Sequence, residues 1–115
     1  MEQENFLYKA LMVYFRNYIN TYSDLLHYMK RSTDAINYLK SILSDLSHIE
    51  NDDVTNALYS MIFNRLLINY REIETKQAFD DLMDCYNKSV TYAQRIKNEN
   101  LRNEFMYLNQ SDLVY

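Results

Sequence analysis

The stretch "FLYKALMVYFRNYINTYSDLLHYM" (6–29) decides the fold. Leu7, Leu11, Tyr14, Tyr18, Tyr22, Leu25 and Met29 succeed one another at steps of three and four, the repeat of one face of an α-helix. Ile36, Leu39, Leu43 and Leu46 carry the same spacing onward. The 115 residues contain neither glycine nor proline. Hairpin turns and phosphate-cradling loops depend on glycine's access to positive φ, and helices without proline keep every backbone donor. The chain therefore reads as all-α: an antiparallel bundle of three to four helices plus a short C-terminal helical segment.

Polar breaks divide the pattern. "KRSTD" (30–34) separates the first and second helices, with Ser32 or Thr33 as the cap; "NTYS" (20–23) is the competing break. Asp52 or Asp53 is suited to cap a third helix running from about Val54 to Ile73. Thr75 can cap a fourth, whose apolar side carries Phe79, Leu82, Tyr86, Ala93 and Ile96. After "KNEN" (97–100), residues 101–115 form either an extension or a separate docking tail on a single domain spanning 1–115.

Composition bounds the function. The net charge is −4, and the twelve Lys and Arg residues are scattered, whereas duplex binding needs clustered cations against phosphates. Direct nucleic-acid binding is not expected. No basic-then-apolar leader opens the chain and no apolar run approaches the roughly 20 residues of a membrane span. The lone Cys85 has no internal disulfide partner, which fits a reducing compartment. The expected location is the cytoplasm of a bacterial host.

Two near-copies, "SDLLH" (23–27) and "SDLSH" (44–48), each set aspartate three residues before histidine, a spacing that bundles use for metals. Helical phase points His27 and His48 away from the leucine stripe. On one continuous helix the copies stand roughly 30 Å apart. If the chain reverses near Ser32, His27 falls opposite about residue 38 and His48 opposite about residue 17, so they share no site in either arrangement. Both copies read as solvent-facing Asp–His pairs, with no metal and no cofactor expected. "DDLMD" (80–84) places Asp80, Asp81 and Asp84 on a solvent face near Glu72 and Glu74, with Lys76 the only basic residue from 72 to 84. That patch suits a basic partner surface. Cys85 has no histidine near it in sequence, and no enzyme is expected.

The stronger signal is surplus apolar surface. Tyr8, Met12, Phe15 and Ile19 lie beyond the main stripe of the first helix, and Phe63, Leu67 and Tyr70 lie opposite Leu58, Met61 and Ile62 on the third. A helix apolar on more than one side is either central or used for association. Arg65 and Asn69 fall on the Leu58 face, where they either snorkel to solvent or make a contact that fixes helix pairing. With Tyr107 in the tail, these residues define an expected interface for another protein or a second copy of the chain. On this reading Phe63→Asp or Leu67→Asp abolishes association and leaves helicity intact. The bias toward Asn, Tyr, Ile and Lys fits an AT-rich genome. It points to a phage or mobile-element antagonist of a bacterial defence protein. A bacteriocin-immunity-like bundle and a secretion accessory protein, to which "YREIE" (70–74) loosely fits, are the alternatives.

Overall fold

The computed structural model describes the backbone of residues 2–47 and 52–114, and the side chains of residues 13, 16–47 and 52–107. Five helices follow in order: α1 (Glu2–Tyr28), α2 (Ser32–Leu46), α3 (Asp53–Tyr70), α4 (Lys76–Gln94) and α5 (Glu99–Val114). No strand occurs among the described residues. His48 lies outside them.

The helix ends follow local chemistry. Asp52 accepts the Thr55 N–H while the Thr55 hydroxyl accepts the Asp52 N–H, a reciprocal box that starts α3. The Thr75 hydroxyl accepts the Ala78 N–H at 3.0 Å and starts α4. The second helix begins at Ser32, but its cap position is Arg31, which makes no side-chain cap bond. Before it, α1 ends in a Schellman turn: Arg31 N–H donates to Leu26 C=O and Lys30 N–H to His27 C=O. Glycine usually takes the left-handed position of that turn. Here Lys30 takes it, at φ 60°, the only positive φ among the described residues.

Helix α3 is the axis of the fold, touching α1, α2, α4 and α5. Twelve of its eighteen residues are buried, including Asn56, Asn64 and Asn69, so it has no solvent face of ordinary width. The α3–α4 seam is lined by small side chains, Ala57 and Ser60 against Ser89 and Ala93. The Ser60 hydroxyl donates to the Ser89 carbonyl at 2.9 Å, and the Ser89 hydroxyl donates to the Ser60 carbonyl at 2.7 Å. The α4–α5 corner is held from α3: the Asp53 carboxylate accepts the Lys97 and Asn98 N–H groups at 2.7 and 3.0 Å. The tail is thus a 16-residue helix docked through Phe105, which is fully buried.

Two expectations are corrected. Leu67 is 1% exposed and Tyr70 is also buried, so that side of α3 is core; the helix is apolar on two sides because it is central. Among the described side chains from Arg16 to Met29, Ile19, Ser23 and Leu26 are buried, while Tyr18, Tyr22, Leu25 and Met29 are exposed. Ile19 therefore faces the core and not a partner. Ser23 packs where only a small side chain fits, and its hydroxyl returns to the Asn20 carbonyl at 3.2 Å.

Leu67→Asp is now expected to destabilise the chain by about 4 kcal/mol or more, because it buries an unpaired charge. Loss of far-UV helicity in a thermal melt checks this. Lys30→Gly relieves the left-handed cost and should stabilise by roughly 0.5–1 kcal/mol, read as a raised denaturation midpoint.

Candidate functional site

The polar residues of α1 turn toward α3 and form a ladder along the helix pair. Arg65 Nε donates to Asn20 Oδ1 at 3.1 Å and stands 3.6 Å from the Asp24 carboxylate. Asn69 is buried; its amide donates to the Arg65 carbonyl at 2.8 Å, and its Oδ1 lies 3.3 Å from His27 Nδ1. His27 Nε2 is 3.9 Å from the Glu72 carboxylate. Of the two readings for Arg65 and Asn69, contact wins over snorkelling: both pin the register of α1 on α3. His27 and Asp24 serve that pairing. Among the described residues no group of three His, Cys, Asp or Glu side chains is placed to hold a metal.

Below this ladder an open cleft of about 820 Å³ is bounded by His27, Lys30, Arg31, Ser32, Asp34 and Glu72. Its lining mixes charges: Arg31 Nε bonds Asp34 at 2.7 Å, and Lys30 and Glu72 also border it.

Phe63 is half-buried in a stack of parallel rings. Its centroid is 5.7 Å from that of Tyr92, which lies 4.6 Å from Tyr59. Lys88 Nζ sits 5.5 Å over the Phe63 ring and the Arg95 guanidinium 5.0 Å over Tyr92. Desolvation, then the neighbouring Tyr92, raises the Tyr59 hydroxyl's pKa above its ordinary value. The rings are covered by one another and by two cations, so Phe63 belongs to a sealed surface seam. Tyr70 is roofed in the same way by Lys40, whose Nζ is 5.7 Å from the ring centroid. The Tyr70 hydroxyl beside Lys40 raises the lysine's pKa.

The acidic segment opens onto solvent. Asp80 and Asp84 are exposed and Asp81 is partly so. Asp84 pairs with Lys88 at 2.8 Å, which raises that lysine's pKa, and Gln77 donates to Asp81 at 3.1 Å. Beside Asp80 and Asp84 on the same helix stand Phe79, 61% exposed, and Met83, 40% exposed. Phe79 was assigned by its spacing to the core side of α4, yet the buried side is Ala78, Cys85, Ser89 and Ala93. Small residues occupy the side of α4 that meets Ser60, and Phe79 falls outside it. Cys85 is buried, and burial together with Asp84 pushes its thiol up to about 11.

Tyr107 is exposed on α5. The side chains of Tyr8, Met12 and Phe15 lie outside the described residues. Spacing alone missed the exposed residues Tyr18, Tyr22, Leu25 and Met29, because they were read as core. Comparison with family models, curated proteins and solved structures finds no match for the chain.

The thiol of Cys85 should react slowly with a disulfide reagent at pH 8 in the folded protein and rapidly once the chain is unfolded in denaturant. The reasons are burial and a thiolate fraction suppressed by the raised pKa. Equal rates in the two states contradict this placement.

Proposed function

We propose that this chain is a non-enzymatic protein-binding module whose docking face is the outward side of the first half of α4. One observation carries the reading: Phe79 and Met83, one turn apart, project into solvent with the exposed Asp80 and Asp84 along one flank. An aromatic ring with a methionine beside it, edged by charge, has the composition of an interface centre next to a polar margin. Glu72 and Glu74 add exposed carboxylates in the preceding turn. The matching partner is a protein with a basic surface and an apolar recess, which the carboxylates steer toward encounter.

Nucleic-acid-processing enzymes carry basic grooves of that kind. With a composition typical of AT-rich genomes, the reading extends to a phage or mobile-element product that occludes such an enzyme in a bacterial defence system. Phe79 and Met83 would fill the recess while the aspartates take the place of phosphates.

The test is a binding series on a partner identified by cross-linking in bacterial lysate and then purified. Phe79→Ala is expected to weaken binding at least about tenfold, mainly through faster dissociation. Asp80→Lys combined with Asp84→Lys should slow association and flatten its salt dependence. A partner held with equal affinity by all variants contradicts this docking face.

A further inference from the structure

A second exposed surface runs along the second half of α1 and shares no residue with the α4 face. Tyr18, Leu25 and Met29 are more than half exposed and Tyr22 nearly so. Their spacing is four, three, four, and in the sequence it continues backwards through Phe15 and Leu11. The stripe spreads onto α2, where the Tyr22 and Tyr38 ring centroids are 4.5 Å apart. Burial, with Tyr18 and Tyr22 beside it, raises the Tyr38 hydroxyl's pKa. The stripe itself holds no charge. Asp24 and His27, the ionisable side chains carried by α1 between Tyr18 and Met29 apart from tyrosines, engage Arg65, Asn69 and Glu72 instead.

We propose that a second copy of the chain packs on this stripe, α1 against α1, to make a symmetric homodimer. Three observations select that occupant. Alternating steps of four and three form a coiled-coil seam, which takes a helix bearing the same pattern, and α1 is such a helix. The uncharged stripe lets two copies meet without repulsion, whereas the α4 face would set Asp80 and Asp84 against their own kind. Area also suffices. The four side chains leave on the order of 400 Å² exposed per copy, or about 800 Å² for the pair. The flanking Asn17, Thr21, Tyr28 and Tyr38 bring the total to about 1,200 Å², where specific interfaces begin.

Light scattering on the full chain tests this. Two copies of the 14.0 kDa chain are expected, and Leu25→Glu or Tyr22→Glu should halve the measured mass with helicity unchanged. Phe79→Ala should stay dimeric, which separates this surface from the α4 face. If a glutamate variant misfolds, Leu25→Cys replaces it: mild oxidation should then yield a disulfide-linked pair, with buried Cys85 taking no part. A wild-type mass of one chain at up to about 100 μM overturns the proposal, even if Leu25→Glu weakens capture of a foreign protein. A dimer that persists in both glutamate variants also overturns it.

Discussion

Two serines set the separation of the central helix pair, and the rest of the fold is arranged around that distance. Ser60 and Ser89 each donate a hydroxyl to the other's main-chain carbonyl across the seam. Such bonds need the two backbones close together, and the neighbouring alanines leave room for it. A neutral hydrogen bond adds only about 1 kcal/mol net, so the serines matter more for geometry than for raw stability. Small residues of α4 take this contact, while the Tyr92 ring stacks on Tyr59 and Phe63 of α3. Phe79 and Met83 are turned outward, and the small residues Ala78, Cys85, Ser89 and Ala93 face in.

Making α3 the axis has a second consequence. The described part of α1, from Arg16 onward, buries Ile19, Ser23 and Leu26. The polar ladder from Asn20 to Glu72 adds directional contacts to that strip. It holds α1 at one rotation, and that rotation leaves Tyr18, Tyr22, Leu25 and Met29 outside. The two exposed faces then differ in kind: α4 offers apolar anchors beside an acidic flank, and α1 offers an uncharged seam. Arg16 ties α1 across to the last helix, bonding Glu104 at 2.9 Å with its guanidinium 5.6 Å from the Phe105 ring centroid.

Much of the architecture was legible in the residues. Absence of glycine and proline, three-and-four spacing and the cap signals at Asp52 and Thr75 gave the helical class and the breaks between helices. The rotation of the helices was not legible, for a physical reason. Pattern reading assumes that buried positions are apolar, but close packing here selects small or hydrogen-bonded residues. Ser23, Ser60, Ser89 and Asn69 are interior, so the true inner faces score as polar. Tyrosine adds to the ambiguity, since a ring that packs well also keeps its hydroxyl in water. The acidic side of α4 was found because aspartates report solvent reliably. The apolar anchors within it were missed because Phe79 fits the period of the buried side as well.

The central claim is that α3 is the stable axis and that the second half of α1, from Arg16 onward, is held at its edge by a strip of three buried residues and a polar ladder. Native-state amide hydrogen exchange tests it most directly. The account predicts that amides within 58–67 exchange only through global unfolding, while those within 20–28 exchange faster, through local opening of α1. Equal protection in the two helices, or slower exchange in α1 than in α3, would contradict it.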